Sequence, residues 1–191
     1  MTEATLAVTR RLARWRVPAG FLLAAVVFWL AAPTRSSLIV GGAVAVVGES
    51  LRIWAAGHLR KSSEVTVSGP YKYFAHPLYV GSAIMGAGLA IASHRLSVVG
   101  LVAVYLLVTI VAAVRSEETF LRERFGEGYE AYRRGANAKG PSCEGGEPSS
   151  DDATRRFSLT QAAANREYRA IAGVAVAWLL LFFKATYNGV F

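Results

Sequence analysis

Two polar stretches of this sequence gather the side chains that could do chemistry. The first is Ser68-Gly69-Pro70-Tyr71-Lys72-Tyr73-Phe74-Ala75-His76-Pro77-Leu78-Tyr79-Val80-Gly81, which runs into an apolar stretch carrying Gly86-Ala87-Gly88. The second opens with adjacent acids, Glu117 and Glu118, and continues through Arg122, Arg124, Tyr129 and Tyr132. Such a set suits a nucleoside that carries a cationic sulfur. A carboxylate can grip a ribose diol, and glycines let a flat base lie against backbone. Aromatic faces and carboxylates favour a positive sulfonium. Transfer of a methyl group by in-line displacement then needs positioning rather than a metal. The same residues also have plainer readings. Adjacent acids beside arginines at a helix start form a solvated, dipole-favoured face, and a G-x-G in an apolar helix is a packing feature. Residue types alone leave these open.

The elements that must position these groups are apolar helices. Pro77 suits the first position of a helix, where its missing N–H costs nothing, so His76 and the tyrosines sit at the lip of the helix that follows. A membrane span needs about 20 predominantly apolar residues. By that measure the chain offers spans at 17–33, 38–57, 77–93, 98–114 and 170–187, with a polar segment at 115–169. No small-x-small cleavage site follows the first of them, so we read it as an uncleaved span rather than a signal peptide. Pro33-Thr34-Arg35-Ser36-Ser37 and His94-Arg95-Leu96-Ser97 are tight turns. Glu49 and Arg52 lie within the second span, three positions apart, and so share a helix face. Ionisable groups at that depth face a bundle interior or a wet cavity, as a structural pair or as part of a site. In the polar segment, Phe120, Leu121, Phe125 and Tyr129 recur at roughly helical spacing, predicting an amphipathic helix over 116–134 that lies on the membrane surface or caps the bundle. Beyond Gly135 the composition is that of a Gly/Ser/Pro-rich loop.

Composition agrees with an all-α, polytopic membrane bundle forming one domain over residues 1–191. Of 191 residues 53% are hydrophobic, and the mean hydropathy is +0.35. The net charge of +8 lies almost wholly between apolar runs, which argues against a nucleic-acid partner and for a topology signal. With the N-terminus in the cytoplasm, the arginines at 10–16, the 58–75 loop and the 115–169 segment all face inward. The outer loops then keep only Arg35 and Arg95, with Lys184 near the C-terminal end, as the positive-inside rule requires. Both informative stretches fall on the cytoplasmic side and the C-terminus outside. Cys143 is the only cysteine, so there is no intrachain disulfide and no thiolate set for a metal.

The wording of the motifs is more specific than their chemistry. Gly69-Pro-Tyr-Lys-Tyr-Phe-Ala-His76-Pro77-Leu-Tyr79-Val-Gly81 resembles the G-x-Y-x-x-x-R-H-P-x-Y-x-G signature of the isoprenylcysteine carboxyl methyltransferase family. Glu117-Glu118-Thr-Phe-Leu121-Arg-Glu-Arg-Phe125-Gly126-Glu-Gly-Tyr129-Glu-Ala-Tyr132 resembles its second signature, E-E-x-x-L-x-x-x-F-G-x-x-Y-x-x-Y. Leu51-Arg52-Ile-Trp54-Ala55 is similar to a weaker pattern of that family, and the whole also resembles the related phospholipid methyltransferases. The resemblance implies an integral-membrane enzyme that takes S-adenosylmethionine from the cytosol and a lipophilic or prenylated acceptor from the bilayer. By the same resemblance His76, Leu78, Tyr79, Gly86, Gly88, Glu117 and Glu118 contact the cofactor, and Glu118 helps position the reacting group. Arg115, Arg122 or Arg124 orients an acceptor carboxylate, Arg124 first because it adjoins Phe125-Gly126. Two departures stand out: Ala75 replaces the usual Arg, and a further loop and apolar helix follow Tyr132. Arg166 and Tyr168 at the mouth of that helix either belong to the site or anchor the span, anchoring being the favoured reading. Two other functions fit the same elements, an NADPH-dependent membrane reductase and a non-enzymatic small transporter or assembly factor.

Overall fold

Each apolar run of the sequence becomes a helix, bounded by local chemistry. The structure is a computed structural model that describes residues 18–59, 66, 68–135 and 156–190, with 124–135 described by backbone alone. α1 is described over Pro18–Leu30. α2 (Arg35–Ala56) starts at a capping box, in which Thr34 Oγ1 accepts from Ser37 N and Ser37 Oγ accepts from Thr34 N. A short 3₁₀ turn (Gly69–Lys72) precedes α3 (Pro77–Ala92), which has Pro77 at its first position, as expected. α4 (Leu96–Gly135) is followed by α5 (Leu159–Ala164) and α6 (Tyr168–Tyr187). All described regular structure is helical.

By length and composition three helical segments can cross a membrane: Arg35–Ala56, Leu96–Glu123 and Tyr168–Tyr187. α1 and α3 are shorter apolar helices, so the five expected apolar segments are present while three have full spanning length. The outer surface is apolar: Phe21, Leu22, Trp29, Val104, Leu107 and Phe183 are each more than three-fifths exposed. That inverts a water-soluble surface and suits a lipid environment.

One expectation is corrected. The amphipathic stretch at 116–134 is not a separate helix; it continues the span at 98–114 as one helix of 40 residues, about 60 Å long at 1.5 Å per residue. No proline or glycine interrupts the chain between Leu101 and Phe125, and Arg115, Glu117, Glu118, Leu121 and Arg122 are all good helix formers. Polarity changes there without a break in the backbone.

α2 and α3 pack antiparallel along a seam of glycines. Gly41 and Gly48 on α2 are seven residues apart, as are Gly81 and Gly88 on α3, so each pair faces its partner two turns apart. A Cβ at Gly41 would lie 2.5 Å from Gly88 O, and one at Gly48 would lie 2.5 Å from Met85 N. Backbone therefore meets backbone, as small residues allow in lipid.

Hydrogen bonds fix which helix ends share a face. Ala32 N donates to Ser93 O at 2.9 Å, Ser37 Oγ to Ala92 O at 3.1 Å, and Lys184 Nζ to Trp29 O at 2.8 Å. These tie the ends of α1, α3 and α6 to the start of α2. A small core of Ala31, Leu38, Ala92, Leu181 and Ala185 lies there, beside the stacked rings of Trp178 and Phe182. At the opposite end, the segment before α6 closes the terminus of α2. Asn165 Nδ2 donates to Ala56 O and Leu59 O at 2.8 Å, and Gln161 Nε2 to Leu59 O at 2.9 Å. The helix-terminal carbonyls that would otherwise lack donors are so satisfied.

Candidate functional site

The closed end of α2 also holds the loop that aims His76. Gly69 has φ +58, a conformation that favours glycine, and a Cβ there would lie 2.7 Å from the His58 ring. His58 is buried, its Nδ1 2.9 Å from Trp54 O, with Phe157 against its other side. The glycine of the first motif thus serves both turn conformation and contact. Its 3₁₀ turn carries buried Tyr71 and leads to His76, the N-cap of α3, whose carbonyl accepts from Tyr79 N and Val80 N.

The His76 ring stands between α3 and α4. Its Nδ1 lies 3.6 Å from Glu117 Oε2 and its Nε2 4.0 Å from Glu118 Oε1. Neither distance is a hydrogen bond; both are ion-pair contacts available to a protonated ring. Adjacent helical residues point about 100° apart, so one ring meets both carboxylates only by sitting over the gap between them. The Tyr79 ring packs 5.9 Å from His76, centroid to centroid. His76 and Glu118 are mostly shielded, and Glu117 is 43% exposed at its side chain. Two motifs about forty residues apart in sequence therefore meet at the mouth of α3, where the helix dipole places positive potential near the acids.

Leu78 belongs to the same first turn and ties it to a second cluster. Arg52 on α2 donates through Nη1 to Leu78 O at 3.5 Å and to Ser82 Oγ. Its Nε and Nη2 both reach Glu167 Oε1, at 2.7 and 2.6 Å. Glu49 Oε2 is farther, 3.7 Å from Arg52 Nε. The expected Glu49–Arg52 pair is present, but the nearer partner of Arg52 is Glu167, the residue immediately before α6. Neighbours Arg166 and Tyr168 are exposed. Sequence spacing pointed to residues 49 and 52 and held no signal for a partner 115 positions away.

The remaining expected site residues are placed differently. Gly88 packs against α2, where a Cβ would lie 2.5 Å from Ala45 N. Gly86 faces Leu106 of α4 and lines a 220 Å³ apolar crevice among α1, α3, α4 and α6. Arg115 is exposed at the start of the acidic stretch, and the Arg124 side chain lies outside the described residues, as does Cys143.

Comparison with known proteins gives the arrangement a family. The family model described as Phospholipid methyltransferase matches residues 15–128. Cobalt-zinc-cadmium resistance protein CzcN of Cupriavidus metallidurans is 31% identical over 134 residues, 65% of this chain and 61% of that protein. Nickel-cobalt-cadmium resistance protein NccN of Alcaligenes xylosoxydans xylosoxydans is 29% identical over the same length and shares. The chain thus spans about three fifths of these curated relatives. No solved structure matches. Because the matched region exceeds half of the 191 residues and contains both His76 and the Glu117–Glu118 pair, the chain belongs to the phospholipid methyltransferase family.

Proposed function

We propose that the protein is a membrane methyltransferase that uses S-adenosylmethionine and methylates a lipophilic acceptor entering from the bilayer. The observation that supports this most is the meeting of His76 with Glu117 and Glu118 at the lip of α3. Two carboxylates, an imidazole and a phenol ring around one helix mouth fit a cationic nucleoside. Carboxylates match ribose hydroxyls and positive charge, and an aromatic face attracts a cation.

When bound, S-adenosylmethionine supplies a methyl group on a positively charged sulfur. The chain's residues bind and orient. Glu118, the more shielded acid, receives a ribose hydroxyl and fixes the reacting end; Glu117, at the open side, and His76 complete the wall. Tyr79 and Leu78 form the floor on the first turn of α3, held in register by Arg52. Arg124 orients a carboxylate on the acceptor, since a guanidinium grips a carboxylate in a fork. A carboxylate is ionised at neutral pH and attacks without a general base, so catalysis rests on alignment. The site faces the cytoplasm, where the cofactor is made. The names of the two relatives favour a setting in cells exposed to cobalt, zinc, nickel or cadmium.

The test is transfer of labelled methyl from S-adenosylmethionine to solvent-extractable product, with purified protein in vesicles of cell-membrane lipid. Labelled product is expected, and Glu118→Gln should lower its rate at least tenfold. No label above a protein-free control would overturn the reading.

A further inference from the structure

A second cavity, separate from the His76 cluster, lies between α2 and α6. It is a lateral groove of about 570 Å³ running from Leu38 and Trp178 at one end to Glu49 and Ile53 at the other. Leu38 and Ile53 are 15 positions apart, so the groove is about 22 Å long at 1.5 Å per residue. Its walls are apolar except for Glu49 and Ser50, and the Ser50 hydroxyl is already bonded to Val46 O at 2.8 Å. Glu49 is different. It is 8% exposed, and neither carboxylate oxygen has a hydrogen-bond partner among the described residues.

The neighbouring charges do not balance. Arg52 spends Nε and Nη2 on Glu167 and Nη1 on Ser82 and Leu78 O. It stands 3.7 Å from Glu49, beyond hydrogen-bond range. Two carboxylates share one guanidinium, and Glu49, a residue of the groove wall, keeps both carboxylate oxygens buried beside the groove without a hydrogen-bond donor among the described residues. An ion-pair contact without a hydrogen bond compensates a buried carboxylate only in part, and the shortfall costs most at membrane depth.

We propose that this groove binds a single-chain lipophilic amine, its alkyl chain along the apolar walls and its ammonium on Glu49. An ammonium brings one positive charge and three donors, a second cation for two carboxylates that share Arg52 and the donors that the Glu49 oxygens lack. The single chain follows from depth. Glu49 lies seven residues inside Ala56, about 10 Å along the helix, below the level at which a phospholipid holds its anionic phosphate. The proposal does not rest on methyl transfer, and its readout needs no methyl donor.

The experiment titrates protein in phosphatidylcholine nanodiscs with hexadecylamine, hexadecanol and hexadecanoic acid. Binding is read from the fluorescence of Trp178, with Trp178→Phe as the blank. The amine should bind at least tenfold more tightly than the alcohol. Glu49→Gln should abolish that preference while retaining alcohol binding, which also reports an intact groove. Ala43→Trp, placed on the exposed wall, should weaken both. Equal binding of amine and alcohol, an unchanged preference in Glu49→Gln, or displacement of the amine by phosphatidylethanolamine at equal concentration would each overturn the proposal.

Discussion

Arg52 joins three helices through one guanidinium. From α2 it reaches the first turn of α3 through Leu78 O and Ser82, and the start of α6 through Glu167. Removing a hydrogen-bonded partner from a part-buried polar cluster costs about 1–3 kcal/mol, and here Glu49, 3.7 Å from Arg52 Nε, still meets the guanidinium's charge. Glu167→Gln should therefore lower the unfolding free energy by about 1–3 kcal/mol, read as a drop in thermal midpoint in detergent. Replacing Arg52, Glu49 and Glu167 together by leucine should recover much of that loss, since matched apolar replacement of a whole ionic cluster is often neutral. A triple variant as unstable as the sum of the singles would show that the three side chains act separately. At this scale the sequence was half readable. Pro77 announced the helix start beside His76, and the spacing of Glu49 and Arg52 announced a shared face. Glu167 was not readable, because tertiary packing alone brings it to Arg52.

At the scale of elements, the same glycine types do different work according to what they face. Gly88 meets the α2 backbone, whereas Gly100 on α4 has nothing within 4 Å of its Cβ position. Gly88→Ala should destabilise by about 1–3 kcal/mol through overpacking. Gly100→Ala should stabilise by roughly 0.5–1 kcal/mol through helix propensity alone. Thermal midpoints of the two variants should then move in opposite directions; movement in the same direction would contradict the seam. The small-residue run of α3 was legible as a close-approach surface, but its partner was not, so a G-x-G that suggested a ligand proved to face α2 and α4. The single helix α4 was missed for a related reason. A change from apolar to charged composition looks like a boundary in sequence, while the backbone responds only to propensity and capping.

For the whole molecule, helix ends alternate between two faces, with His76, the Glu117–Glu118 pair and Glu167 gathered at one of them. By the positive-inside rule the distribution of Lys and Arg supports the proposal that this face is the cytoplasmic one. Because Cys143 is the only cysteine, the unmodified chain reports its own orientation: a membrane-impermeant maleimide should label it only after cells are permeabilised. Labelling in intact cells would invert the topology. The meeting of the two motifs was legible from their order and from the helix hairpin between them. The docking of residues 156–167 against the end of α2 was not, since polar contacts to backbone carbonyls leave no periodic trace. The central claim is that the His76–Glu117–Glu118 mouth takes a cationic nucleoside, and calorimetry of the purified protein with S-adenosylmethionine and with NADPH tests it most directly. Saturable heat with S-adenosylmethionine alone, weakened at least tenfold in Glu118→Gln, is the predicted result; heat with NADPH instead, or S-adenosylmethionine binding unchanged in Glu118→Gln, would contradict it.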